Sequence, residues 1–313
     1  MNWNFVGMRA TFYTLSLLAI ALCIGLISWK GLNLGIEFRS GSVLRVSFEE
    51  KVTREDVKKI LSLEKFKQHF KRFQVQQIDP EDVIGSKDRE FFITSDFIPG
   101  STDSEGMDRI VLREFQKSFP SAKANEFINI GPSIGDDLKE AAIYSIIFSI
   151  LAIILYITVR FEFRFGVAAI IALVHDVSIV LGIFALTQTI FSSSTIAAIL
   201  TIIGYSLNDT IVIMDRIREN TKLLRKEPFS TIVNTSLNQS LKRTVFTSIT
   251  TLCPIVVLFL YGGTGVYSFS FALLIGIVVG TYSSMCTAAQ VLVTWELVKP
   301  HVDGDLTPVR QNA

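Results

Sequence analysis

The longest uncharged stretch of the sequence runs from Thr244 to Trp295, 52 consecutive residues without an acidic, basic or histidine side chain. A second such run, of 32 residues, extends from Val177 to Asn208. About 20 apolar residues cross a bilayer as a helix, so both runs predict membrane spans. Only 19% of residues are charged and mean hydropathy is +0.43, whereas soluble domains carry about 25% charged residues. These features exclude a soluble enzyme, a disordered chain and a disulfide-stapled secreted module.

The uncharged stretches predict six membrane-spanning helices. A polar turn at 187–195 divides one stretch, and the glycine cluster at 262–265 divides the longest. The predicted spans cover residues 10–29, 141–159, about 165–186, about 195–214, about 244–261 and about 267–292. The first apolar core is longer than that of a signal peptide, and no small-x-small cleavage pattern follows it. We therefore predict an uncleaved anchor.

Basic residues predict the orientation of these spans. Lys and Arg concentrate in the loops at 160–164 and 215–243 and are absent from the loops at 187–195 and 261–266. Short loops rich in Lys and Arg remain in the cytoplasm, so we predict that both termini are cytoplasmic. The predicted parts are residues 1–30 (N-terminus and first span), 31–138 (exported domain), 139–295 (spans two to six) and 296–313 (cytoplasmic tail).

Residues 31–138 have the composition of a soluble domain, with 16 basic and 19 acidic residues and no cysteine. Period-two patterns alternate with helical ones, and Thr53-x-x-Asp56 is typical of a helix start. The resulting order β-α-β-β-α-β is that of the ferredoxin-like unit. We therefore predict a membrane α-helical fold with a small α+β ferredoxin-like exported domain between helices one and two. We expect no disulfide, metal, cofactor or catalytic site.

Asp209 is an ionisable residue inside the predicted fourth span, preceded by Asn208. Arg243 begins the fifth span from the same side, and Thr247 follows one turn later on the same face. A carboxyl group at this depth is neutral when desolvated and ionised when paired with an arginine. Its protonation can therefore follow the position of Arg243, as a proton relay requires. The alternative is a structural pair that locks two helices, with Arg243 reaching the membrane interface.

His175 and Asp176 are adjacent in the predicted third span. An ionisable residue in hydrocarbon costs a few kcal/mol by insertion scales, so each needs a function or a partner. The sequence leaves two interpretations open, support of the relay or hydrogen bonds that pack helices. Gly276, Gly280 and Ser284 recur at four-residue spacing in the sixth span, which is typical of a helix-packing face.

Several segments resemble one family in the same order along the chain. Residues 199–220 (ILTIIGYSLNDTIVIMDRIREN) resemble the fourth-span signature of the smaller subunit in the SecD/SecF family of bacterial protein-export membrane proteins. The other matching segments are GIEFRSG (35–41), GPSIGDDL (131–138), RFEFRFGVAAIIALVHDV (160–177), LKRTVFTSITTL (241–252) and GTYSS (280–284). The glycine-rich element departs mildly from the usual GIDFTGG, with Glu37 for Asp and Arg39-Ser40 for Thr-Gly.

The resemblance implies a six-span member of the RND superfamily, in the bacterial cytoplasmic (inner) membrane, whose helices pair with those of a SecD-type subunit in a heterodimer. Such a complex uses the proton motive force to help preproteins cross the membrane through the SecYEG channel. YajC, preprotein substrates and membrane lipid are further implied contacts. The family's proton-pathway aspartate falls on Asp209 and its functional arginine on Arg243, with Thr247 one turn later. The net charge of +1 gives no basic surface for nucleic acid.

Three other functions remain open at this point. One is an RND-type proton-coupled exporter half for lipid or small-molecule cargo, although such proteins usually carry both halves in one chain. Another is an intramembrane aspartyl protease in which Asp176 and Asp209 share a proton and activate water, although the GxGD pattern is absent. The third is a subunit that only stabilises its partner.

Overall fold

A computed structural model describes residues 3–63, 66, 73–78, 89–96 and 107–298 of the 313-residue chain. Its α-helices are α1 (Arg9–Lys30), α2 (Ile36–Arg39), α3 (Arg54–Leu61), α4 (Met107–Ser118), α5 (Pro132–Arg160), α6 (Phe163–Thr187), α7 (Ser193–Leu223), α8 (Phe229–Tyr261), α9 (Thr264–Ser283) and α10 (Ala289–Val298). Its strands are β1 (Gly41–Phe48), β2 (Phe73–Ile78), β3 (Arg89–Ser95) and β4 (Lys123–Ile130).

Six helical segments in the described part of the chain are long and apolar enough to cross a membrane. They are Arg9–Lys30, Pro132–Arg160, Phe163–Thr187, Ser193–Leu223, Phe229–Tyr261 and Gly265–Val298. The six-span prediction is therefore confirmed. A turn of π-helix, Ser284–Ala288, interrupts the last segment, and such turns often occur at functional sites.

The stretch from 215 to 243 is mostly helical, contrary to its prediction as a loop. Helix α7 continues to Leu223 and α8 begins at Phe229. This stretch is polar but amphipathic. Val233 and Leu237 on α8 are completely buried in the same apolar cluster as Ile217 on α7. Bilayer thickness limits the length of an apolar stretch, but a helix continues past the membrane wherever one face remains packed.

The extramembrane domain is a four-stranded antiparallel sheet in the order β2-β3-β1-β4. This is the strand order expected for the predicted ferredoxin-like unit. The ring of Phe48 lies at the centre of the core, with edge-on contacts to Phe91 at 5.5 Å and Phe115 at 5.6 Å between centroids. Helix α3 starts at the predicted capping box, in which Thr53 and Asp56 exchange hydrogen bonds.

The chain enters this domain through a segment, residues 33–35, that is hydrogen-bonded to the α6–α7 loop. Leu34 and Phe191 form an isolated parallel bridge. The Gly35 amide donates to the Phe191 carbonyl and the Phe191 amide donates to the Asn33 carbonyl, both at 2.8 Å. Phe38, on α2, is buried in the same apolar cluster as Phe191. The start of the extramembrane domain is thus attached to the loop that leads into α7.

Helices α6, α7 and α9 form the interior of the bundle, and α1, α5 and α8 lie around it with mostly exposed faces. Gly182 on α6 lies directly against Cys23 on α1. Gly276 on α9 lies directly against Ile202 on α7. Glycine allows this close approach because it has no Cβ, as small-residue faces do in membrane helix packing.

Candidate functional site

Asp209 lies within α7 and is 3% exposed. Its Oδ2 atom has no hydrogen-bond partner among the described residues. A buried polar atom is rarely left unpaired, and a carboxyl group is among the most costly to bury. The Asp209 carboxyl group is therefore held in an uncommon and costly environment.

Arg243 lies near the middle of α8 with an exposed side chain. Across the described ranges it forms no ion pair with Asp209, although its charge acts electrostatically on that carboxyl group. The two predicted relay residues thus lie on the neighbouring helices α7 and α8 but do not form an ion pair.

The other predicted supporting residues lie at different distances from the α7–α8 boundary. Thr247 is half-buried on α8, one turn beyond Arg243. Asn208 is exposed, because it lies on the same helix face as the exposed Thr201 and Gly204, at helical spacing. The structure therefore does not bring Asn208 into the buried cluster.

His175 and Asp176 form a second buried polar group. His175 Nδ1 lies 3.0 Å from Asp176 Oδ1, and the Ser206 hydroxyl donates to Asp176 Oδ2 at 2.6 Å. Ser206 is one turn before Asp209 on α7, so this network joins α6 to α7 beside the candidate relay. Both oxygens of Asp176 are engaged, and the bond from Ser206 is a hydrogen bond between helices of the kind that the sequence left as one interpretation.

Sequence reasoning missed three buried polar residues near these helices. Thr244 Oγ1, Ser283 Oγ and both side-chain polar atoms of Gln290 have no hydrogen-bond partner within the part of the chain that the structure describes. The sequence gives no sign of them, because serine, threonine and glutamine side chains in membrane helices usually form hydrogen bonds within their own helix or to a neighbouring helix. Their unpaired state is visible only once the helices are packed.

None of the described residues forms a cluster of three or more His, Cys, Asp or Glu side chains suited to a metal ion. All three cysteines are free thiols, two of them buried and Cys253 exposed.

Comparison with known families decides which protein class has this arrangement. The family profile described as "Protein export membrane protein SecD/SecF, C-terminal" matches residues 110–298, which include Asp209 and Arg243. The chain belongs to the SecD/SecF family. A second profile, "SecD/SecF GG Motif", matches residues 29–52. In the structure, this SecD/SecF element includes residues 33–35, which are hydrogen-bonded to the α6–α7 loop.

Individual SecD/SecF relatives agree with this assignment. The chain is 40% identical to the protein translocase subunit SecF of Desulfurispirillum indicum, over 94% of this chain and 93% of that one. It is 38% identical to the protein translocase subunit SecDF of Thermus thermophilus, covering 94% of this chain and 39% of that one. A crystal structure of SecDF from that organism, described as a translocon-associated membrane protein, superposes with a TM-score of 0.82 at 37% identity, covering 95% and 39% of the two chains. The chain therefore matches SecF over most of its length and about two-fifths of SecDF.

Proposed function

We propose that this chain is the SecF-type subunit of a SecD/SecF protein-export complex in the bacterial cytoplasmic membrane. In this role it uses the proton motive force to assist the passage of preproteins through the SecYEG channel. The family match and the six apolar helices support this proposal. With the basic ends of the helices in the cytoplasm, both termini are cytoplasmic and the ferredoxin-like domain is on the outer side.

The buried Oδ2 of Asp209, which has no partner in the described residues, is the single observation that carries the mechanism. When a proton binds, the carboxyl group is neutral and compatible with its apolar surroundings. When the proton leaves, the carboxylate needs a cation, and Arg243 is the charge that already acts on it. Loading and unloading of Asp209 therefore favours two different positions of α8 relative to α7.

The available energy is adequate for such a change. One elementary charge moved through 100 mV is worth about 2.3 kcal/mol. This biases a two-state equilibrium by nearly 50-fold, since about 1.4 kcal/mol corresponds to a factor of ten. The motion reaches the outer domain through the α6–α7 loop, to which residues 33–35 are hydrogen-bonded.

A SecD-type subunit is the main partner in this proposal. Helices α1, α5 and α8 expose most of their apolar surface in the single chain, and the exposed Arg243 lies on one of them. A second six-helix subunit and membrane lipid together would cover these faces. YajC, the SecYEG channel and preproteins are further proposed contacts.

Neither rival activity gains support from the geometry. A protease dyad needs two carboxyl groups that share a proton, but both oxygens of Asp176 are already held by His175 and Ser206. A lipid or small-molecule exporter would share the superfamily, yet the relatives described above are protein translocase subunits.

The test is preprotein export in cells depleted of their own SecF and complemented with this chain at matched membrane levels. We expect the wild-type chain and Asp209→Asn to differ sharply, with export lost in the variant. The matched control is Asp215→Asn, the same chemical change six residues later on α7, where the side chain is 44% exposed. Equal export by wild type and Asp209→Asn would remove the relay from Asp209, and failure of the wild-type chain itself would remove the proposed function.

A further inference from the structure

Thr244 on α8 is 1% exposed, and its Oγ1 has no partner among the residues described. Hydroxyl groups in helices commonly bond to the carbonyl one turn earlier. On the same helix Ser248 and Thr251 do so, both at 2.9 Å, to the carbonyls of Thr244 and Thr247. Thr244 Oγ1 is therefore a fully buried hydroxyl that lacks this local bond, and it is available for another group.

Two contacts set the register of the three helices around it. The hydroxyls of Ser248 on α8 and Thr281 on α9 lie 2.6 Å apart. Gly280, the residue before Thr281, packs against Ser206 on α7 so closely that a Cβ there would lie 3.1 Å from the Ser206 Cβ. These contacts place one level of α7, α8 and α9 side by side.

This register places Asp209 and Thr244 at similar depths on the neighbouring helices α7 and α8, below the level of these contacts. Helix α7 runs away from the extramembrane domain and α8 runs towards it. Asp209 follows Ser206 by three residues and Thr244 precedes Ser248 by four, so both lie further from the domain, by about 4.5 Å and 6 Å at 1.5 Å per residue. Each shares the face of the residue that makes the contact, because three and four residues nearly complete a turn.

The two unpaired atoms therefore face one three-helix junction at nearly the same depth. Buried polar atoms in proteins are almost always hydrogen-bonded, and internal waters bridge those that the chain leaves unpaired. A water needs two to four polar partners, and the junction offers a carboxyl oxygen and a hydroxyl. We infer that Thr244 Oγ1 and Asp209 Oδ2 bind a shared internal water, and that Thr244 is the positioning residue that orients this water toward the relay carboxyl group.

This inference deepens the proposed function and rests on it. The shared water gives the Asp209 carboxyl group a donor and acceptor beside it, through which a proton can pass without exposure of the group to bulk solvent. Thr244 follows the arginine that acts on Asp209, so one turn of α8 carries both the charge and the water ligand. Movement of α8 would displace the two together.

The experiment removes the hydroxyl and keeps the shape. Thr244→Val is nearly isosteric and cannot bind water, whereas Thr244→Ser retains the hydroxyl. The control is Thr201→Val on α7, an exposed residue whose hydroxyl donates to the Ala197 carbonyl at 2.8 Å. We expect Thr244→Val to lower SecF-dependent export by about tenfold, the effect of one lost hydrogen bond to a charged group. Thr244→Ser and Thr201→Val should remain near the wild-type level.

A second measurement distinguishes orientation of the water by the Thr244 hydroxyl from mere packing of the Thr244 side chain. In the purified SecD/SecF complex, the infrared carbonyl band of protonated Asp209 is assigned by its loss in Asp209→Asn. We expect Thr244→Val, but not Thr244→Ser, to shift this band, because its frequency depends on the hydrogen bonds of the carboxyl group. If Thr244→Val does not accumulate, Thr244→Cys supplies a similar volume with a weak donor.

The outcomes are distinguishable. Equal export and an unshifted band in Thr244→Val, with Asp209→Asn inactive, would overturn the water site and leave the relay standing. An equal loss in Thr244→Val and Thr244→Ser would also overturn it, since packing rather than the hydroxyl would then matter. Active Asp209→Asn would instead remove the relay from Asp209 and this water site with it, whereas failure of the wild-type chain to restore export would overturn the proposed function.

Discussion

The contact between Gly182 and Cys23 gives a sharp prediction about how α1 is held on the bundle. A Cβ added at Gly182 would overlap the Cβ and Sγ of Cys23 and lie 2.8 Å from its Cα. Carbon atoms are in favourable contact at about 3.5–4.0 Å, so α1 and α6 would have to separate by about 1 Å at this level. Overpacking of this kind costs about 1–3 kcal/mol. We therefore expect Gly182→Ala to destabilise the α1–α6 contact by that amount.

The assay is local and uses the buried thiol itself. In a variant that keeps Cys23 as its only cysteine, the rate of labelling by a membrane-permeant maleimide reports opening of the α1–α6 contact. A cost of about 1–3 kcal/mol raises the labelling rate by about five- to more than a hundredfold if opening limits access. Gly25→Ala is the matched control on α1, because a Cβ there meets nothing within 4 Å. It should leave the rate unchanged or slightly lower it, since alanine favours helix.

Similar labelling rates for Gly182→Ala and Gly25→Ala would refute the reasoning, because the close approach would then place no steric demand on α1. A rate increase in both variants would also contradict it, since the effect would then come from the glycine substitution in general.

Two other predictions concern hydrogen bonds and charge. Ser206→Ala should lower thermal stability in detergent by about 1–3 kcal/mol, because it leaves the buried Oδ2 of Asp176 unpaired; Ser145→Ala, which removes an exposed hydroxyl bonded to its own helix, should not. In the extramembrane domain, the hydrogen bond from Lys123 lowers the pKa of Glu49. The stability from this pair is therefore present above the unfolded pKa of Glu49 and is lost as pH falls through the lowered folded value. Lys123→Met should raise that pKa toward 4.5, and a carboxyl ¹³C NMR titration in which it stays low would contradict the assignment.

Much of the membrane architecture could be predicted because the bilayer imposes a length on apolar stretches. The six spans and the break at 262–265 follow from that one constraint, and the order of strands and helices along the extramembrane domain follows from two hydrophobic periodicities. The prediction failed in the stretch from 215 to 243, where charge density indicated a loop. There the inward residues Val233 and Leu237 keep α8 helical beyond the apolar segment.

The candidate site was only partly predictable. Asp209 could be recognised because an ionisable residue within an apolar run is costly. The position of Asp209 relative to Thr244 could not be predicted, because it depends on the register between separate helices. Close contacts such as Gly280 against Ser206 set that register, and no spacing within a single helix encodes it.

The junction between the sheet and α5 has a mechanical consequence. Strand β4 ends at Ile130 and α5 begins at Pro132, so only Gly131 separates the outer domain from a 29-residue helix. Such a helix is about 43 Å long, and its surface is mostly exposed to whatever surrounds the bundle. If it pivots by about 10° at its far end, the end that joins β4 moves by about 8 Å. The extramembrane domain would then move together with this end of α5. A lipid or a neighbouring subunit that contacts α5 would therefore limit how far the domain moves.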